Sequence, residues 1–258
     1  MKIPYLKLFT FCLLLFIPFG KFVTAQEIAD ESITPPDANI IYNHQAIGAI
    51  SIHSEGWGFY FRRSKILDIY KKIFWETEFA TMHNQNEYKI SNPNQPEASP
   101  YYFGKLNGMG VFRLGVGVSR MIWRKNDLNC VQIDAIYAVG ASLGILKPVY
   151  LDILVSAPNG DQLPPVPEKY DPAKDNPSNI YGRASVFDGL GEMTIHPGLY
   201  GKAGINFDFA NRHKTLKALE TGVVVDAYKN VIPMMAFSQN NRIFINLYLS
   251  FSIGSRWI

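Results

Sequence analysis

Acids and bases recur in this chain among apolar neighbours. Glu76 and Glu78 sit in "IFWETEFAT", Arg113 in "GVFRLGVGVSR" and Asp134 in "VQIDAIYAVGASLG". Lys202 and Asp208 sit in "LYGKAGINFDF", and Glu220 and Asp226 in "LETGVVVDAY". Brought together, such groups neutralise one another in ion pairs, or they carry protons or hold a ligand. His53, Ser54 and Glu55 have the residue types of a nucleophile relay. Adjacent strand residues point to opposite faces, so these three do not form one. His44, His83 and His213 fall in turns or strand starts, and His196 precedes Pro197. No histidine pair has metal spacing. The chain has no G-x-S-x-G, no phosphate loop and no glycine fingerprint at a strand-to-helix turn. It reads as a protein without catalytic residues, cofactor or metal.

The elements that carry these charges alternate. Phe112, Leu114, Val116 and Val118 form one face against Arg113, Gly115, Gly117 and Ser119. Ile73, Trp75, Thr77 and Phe79 stand against Glu76 and Glu78. Leu199, Ala203, Ile205 and Phe207 stand against Tyr200, Lys202, Asn206 and Asp208. In "IFINLYLSFSI" the odd positions Ile243 to Ile253 are apolar and the even ones include Asn246, Tyr248, Ser250 and Ser252. Period-two alternation over about nine to eleven residues is the pattern of a strand with one apolar and one polar face. The polar face is rich in glycine, serine and opposite charges, which suits a narrow packed lumen. The apolar face suits a wall against lipid.

The first 25 residues differ. Lys2 and Lys7 precede "LFTFCLLLFIPF", and a small residue follows at Ala25. This is a secretory signal peptide cleaved near Ala25; a retained anchor would need a longer unbroken apolar run. Residues 26–41 follow as a periplasmic segment and 42–258 as the barrel. With Cys12 removed, Cys130 remains alone and no intramolecular disulfide is possible. Charged residues are 18% of the chain and the formal net charge is +3, with no basic tract interleaved with aromatics. Nothing in this balance points to a nucleic-acid partner.

The connections "RRSKILD", "WRKNDLN" and "ANRHKTL" are short. The stretches 83–99, 146–192 and 230–241 are long or proline-bearing, and short and long alternate strictly. In bacterial outer-membrane barrels periplasmic turns are short and outer loops long. The short turns are basic, with Arg62, Arg63 and Lys65, then Arg124 and Lys125, then Arg212, His213 and Lys214 on a periplasmic rim. These are solvated turn charges, or they meet lipid phosphates or an acidic partner. Residues 45–65 are either one long bent strand with a bulge, or two strands turning at Ser54-Glu55-Gly56 with Gly56 at positive φ. Two strands give eight in all and place both ends in the periplasm.

The segments "KKIFWETEFATMHN", "YYFGKLNGMGVFRLGVGVSR" and "VGASLGILKPVYLDIL" resemble a small outer-membrane β-barrel family of Bacteroidota-type bacteria. The likeness covers most of residues 45–258. More broadly the chain is similar to OmpA- and OmpX-type eight-stranded barrels. The resemblance implies fold and location, not an activity. Such families often end in an aromatic residue read by the barrel-assembly machinery; here Trp257 is penultimate and Ile258 last.

The expectation is an all-β, single antiparallel up-and-down transmembrane barrel of eight strands in the outer membrane. Its lumen holds a network of Arg62, Glu76, Glu78, Arg113, Asp134, Lys202, Asp208, Glu220 and Asp226. Its expected role is structural or interactive, with partners in outer-membrane lipid, the assembly machinery and another envelope protein met through loop 146–192. A small-solute pore, a lipid-modifying enzyme and a lipocalin-like carrier are the alternatives.

Overall fold

The computed structural model describes residues 42–95, 97–124, 130–155, 164–210 and 214–258. The expected signal peptide and the segment 26–41 lie outside these residues, as do Lys125, Arg212 and His213. Where side chains alternate in polarity the backbone runs as strand. The barrel strands are β1 (His44–His53), β2 (Gly56–Asp68), β3 (Lys71–Met82), β4 (Asn107–Trp123), β5 (Gln132–Pro148), β6 (Thr194–Asp208), β7 (Thr215–Tyr228) and β8 (Ile243–Trp257). Each pairs antiparallel with its neighbours in sequence, and β1 pairs with β8, so the barrel is closed and leaves no free edge. With 10 to 17 residues, several strands exceed the expected length.

The register fixes the size. From His44 the pairing passes through Lys65, Ile73, Val118, Tyr137, Ala203, Val223 and Leu247. The Leu247 carbonyl then accepts from Ser54 N at 2.9 Å, ten residues beyond the start. Eight strands with a shear of ten tilt by about 40° and enclose a radius of about 8 Å. Side chains alone fill that interior.

Residues 45–65 are two strands, joined at Ser54 and Glu55. Among the described residues positive φ occurs at Gly104 and Gly189, so the expected positive φ at Gly56 is not found. Gly56 is there for space: a Cβ would overlap the Thr81 carbonyl on β3. This two-residue turn lies at the same end as the long connections, so short and long connections do not alternate strictly. Arg63 and Lys65 do not lie in a turn either. They are outward residues of β2, which continues to Asp68 before turning at Ile69 and Tyr70. Arg62 on the same strand faces the lumen and is buried.

The outward face is a belt without charge. On every strand the outward positions between Ala46 and Ile52, Trp57 and Phe61, Ile73 and Thr81, Gly110 and Val118, Ile133 and Ile145, Ile195 and Phe207, Leu219 and Ala227, and Ile243 and Ile253 carry no ionisable group apart from the Tyr137 phenol. Ten residue steps on β8, tilted by about 40°, rise about 25 Å, the height of the apolar band of a membrane barrel. Arg63, Lys65, Lys71, Arg120 and Lys217 follow at the short-turn end.

Candidate functional site

The lumen is layered. At its middle three cations meet four carboxylates. Arg62 Nε donates to Glu76 Oε2 at 2.7 Å and Nη1 to Glu220 Oε2 at 2.7 Å. Lys202 Nζ lies 2.9 Å from Glu76 Oε1 and 3.3 Å from Glu78 Oε2. Arg113 grips Asp226 with two bonds of 2.9 and 2.7 Å and reaches Glu78 at 2.9 Å. The Arg62 guanidinium also lies over the rings of Phe74 and Tyr60, at 4.5 and 5.0 Å. Ser142 donates to Asp226 at 2.9 Å and Tyr248 to Glu220 at 2.8 Å. Charges this deep persist because nearly every lone pair is met.

Of the nine lumenal residues expected from the sequence, seven meet in this layer. Asp134 and Asp208 sit nearer the short-turn end. Asp134 pairs with Lys72 at 3.1 Å and Asp208 with Arg256 at 2.6 Å, around a cavity of about 20 Å³ that has room for one water. Lys72 and Arg256 were not named from sequence, although strand parity puts them in phase with Phe74 and Ser252. In the sequence His53 stands beside Ser54 and Glu55, and nothing in its spacing marks the contact with Glu78.

Glycines make the layer possible. A Cβ on Gly115 or Gly140 would overlap Tyr200 or neighbouring backbone, and one on Gly204 would overlap the Tyr248 hydroxyl. The "GVGVSR" stretch therefore marks dents in the wall into which lumenal aromatic rings fit.

His53 Nε2 lies 3.1 Å from both Ser51 Oγ and Glu78 Oε1. A serine–histidine–acid relay needs the serine and the acid on different ring nitrogens of the histidine. Here one nitrogen serves both, Nδ1 has no partner, and all three side chains are buried. The set is a lumenal hydrogen-bond cluster and not a catalytic arrangement. Among the described residues no group of side chains is placed to hold a metal.

Above the ionic layer the lumen is stoppered. Met82, Met109, Val111, Leu146, Tyr228 and Phe244 pack with Ile232, Met234 and Met235, which the 229–242 connection folds into the barrel mouth. Asn240 pins that fold, accepting from Met234 N at 2.9 Å and Met235 N at 3.0 Å. Among the described residues the ionic layer and the apolar plug both occupy the lumen with buried side chains, an arrangement that opposes an open pore. The apolar faces point out and the charges in, the opposite of the apolar interior a lipocalin-like carrier needs.

The long-loop end has a core of its own. Tyr150–Ile153 pairs with Val166–Lys169 on one side and Ile180–Arg183 on the other. Lys89–Ile90 pairs with Tyr101–Tyr102. Tyr101, Leu151, Ile153, Tyr170 and Ile180 pack beneath them. Asp171 and Asn176 close turns through side-chain bonds to the amides of Ala173 and Ser178. Lys105 pairs with Glu87 at 2.7 Å within the β3–β4 connection, and that connection is tied to the others where Asn86 Nδ2 donates to Ser238 at 2.6 Å and Asn92 Nδ2 to the Ile180 carbonyl at 2.7 Å. On this platform Val186 and Phe187 stand 63% and 78% exposed. The Val186 carbonyl accepts from Lys147 Nζ at 2.5 Å, and Glu192 accepts from Tyr150 at 2.6 Å and Lys169 at 3.0 Å. A cleft of about 200 Å³ alongside is lined by Tyr101, Tyr102, Lys105, Lys147 and Arg183.

At the short-turn end, Arg124 and Lys214 are exposed in the turns, as is Cys130.

No family model and no curated relative matches this chain. Among solved structures it is similar to Ail, the attachment invasion locus protein of Yersinia pestis, at 8% identity and a TM-score of 0.38, covering 84% of this chain and 100% of that one. Ail has also been solved in complex with the heparin analogue sucrose octasulfate. Neisserial surface protein A matches at 8% identity and a TM-score of 0.37, covering 83% of this chain and 96% of that one.

Proposed function

We propose that this chain is an integral outer-membrane barrel that conducts no solute and presents a folded surface to a partner of the envelope or its surroundings. The observation that carries the reading is the uncharged belt of about 25 Å around a lumen packed, among the described residues, with buried side chains. Such a belt is stable only against lipid, and such a lumen passes nothing. What remains for contact is the long-loop end, where a separate core holds Val186 and Phe187 out to solvent. A connection that spends a three-stranded sheet on its own order is built to keep a shape. The short turns face the periplasm in this reading, and the assembly machinery and lipid are the expected partners of the barrel wall.

The native thiol tests the orientation. Cys130 at the short-turn end is exposed. In intact cells it stays unmodified by a bulky impermeant maleimide and is modified once the outer membrane is opened. In a Cys130→Ser background, Phe187→Cys is modified in intact cells. The reverse pattern removes the platform from the outside and refutes the proposal.

A further inference from the structure

The barrel wall carries a groove of about 750 Å³ on β2 to β5, near the short-turn end. Its apolar lining includes Ile73, Trp75, Val116, Tyr137 and Val139. Arg63 and Lys65, two residues apart on the outward face of β2, form its lip. The Arg63 guanidinium lies 5.6 Å from the centroid of the Trp257 ring, which itself stacks on His44. Among the described residues neither Arg63 nor Lys65 meets a carboxylate, whereas Arg62, the residue before them and on the inner face, meets two. The nearby acid Asp68 is turned back onto the Ile69 amide at 2.6 Å. An apolar trough ending at two unpaired cations, at the edge of an uncharged belt, complements a molecule with acyl chains and an anionic head.

We propose that this groove seats an anionic glycerophospholipid of the periplasmic leaflet. Its phosphate lies between Arg63 and Lys65, and an acyl chain runs along Trp75, Val116 and Val139. The inference rests on the membrane-spanning reading above and deepens it by naming the lipid class and its seat.

Trp75 lines the groove and Trp257 stands beside its lip, so tryptophan quenching by brominated lipid reads occupancy. A Trp57→Phe/Trp123→Phe parent, whose folding is checked by its migration shift on boiling, is reconstituted in phosphatidylcholine vesicles. A minor share of brominated phosphatidylglycerol or brominated phosphatidylcholine is added. The proposal expects the anionic lipid to be preferred about fivefold to thirtyfold at low salt, from two cations near the surface. The preference weakens with salt and survives added inorganic phosphate. Arg63→Gln/Lys65→Gln removes it, while Lys217→Gln, at the same end but on β7, leaves it intact. Equal quenching by both lipids in an inserted, heat-shifting parent overturns the lipid seat alone. So does a preference that persists in Arg63→Gln/Lys65→Gln, falls equally in Lys217→Gln, or is abolished by phosphate. A parent that neither inserts nor shifts on boiling overturns the membrane reading with it.

Discussion

Replacing Arg113 by methionine removes a fully buried cation and keeps most of its volume. The side chain makes two bonds to Asp226 and one to Glu78. Without it two cations, Arg62 and Lys202, face four carboxylates, Glu76, Glu78, Glu220 and Asp226. Glu78 keeps Lys202 and His53, but Asp226 keeps only the Ser142 hydroxyl among the bonds described here. Breaking one side of a buried pair costs about 3–5 kcal/mol, because the other charge stays buried without compensation. That is about two to four decades in the folding equilibrium. Urea titration in lipid vesicles, followed by the gel shift between folded and unfolded forms, measures it. Lys217→Gln, on the outer face and away from the groove, serves as the reference and stays within about 0.5 kcal/mol. Arg113→Met/Asp226→Leu recovers at least half of the loss, since the orphaned carboxylate leaves with its partner. An Arg113→Met variant within about 1 kcal/mol of the parent would refute the reasoning, because the lumenal charges would then not depend on one another.

Gly56→Ala places a methyl group on the Thr81 carbonyl and should cost about 1–3 kcal/mol in the same titration, with the β1–β2 hairpin the first to exchange amide hydrogens. Ile232→Ala empties the plug at the barrel mouth and should cost about 2–5 kcal/mol by the same assay. The parent protein should show no unitary conductance in planar bilayers. On the outer platform, hydrogen bonds from Tyr150 and Lys169 hold the Glu192 carboxyl below its ordinary value of 4.5. A carboxyl lowered on folding stabilises above its unfolded pKa, and the contribution is lost as pH falls through the folded one. Amide-exchange protection of residues 166–169 and 190–192 should therefore fall below about pH 4.5, and Glu192→Gln should make it independent of pH there.

Strand parity was legible because the two faces of each strand meet opposite solvents. Lipid on one side and a crowded polar lumen on the other make every second residue change character, and Glu76, Arg113, Lys202 and Asp226 could be assigned inward one by one. What each charge meets was not legible. Arg113 on β4 finds Asp226 on β7 across the barrel, a pairing set by shear and not by spacing along the chain. The parity signal fades at the belt's edge, where outward positions become cations. For that reason Arg63 and Lys65 read as a turn although β2 continues past them. The platform left no periodic trace, since its core draws on Tyr101, Leu151 and Ile180 from separate short strands and on Tyr170 just past another. Its many Pro, Asp and Asn residues mark turns and do not reveal the sheet they connect.

The central claim is that the uncharged face of this barrel meets lipid. The direct test is to express the full chain from Met1, separate the outer membrane, and compare unboiled and boiled samples on a denaturing gel. The account predicts the protein in the outer-membrane fraction, with a folded band that shifts on boiling. A soluble periplasmic protein with a single band under both conditions would contradict it.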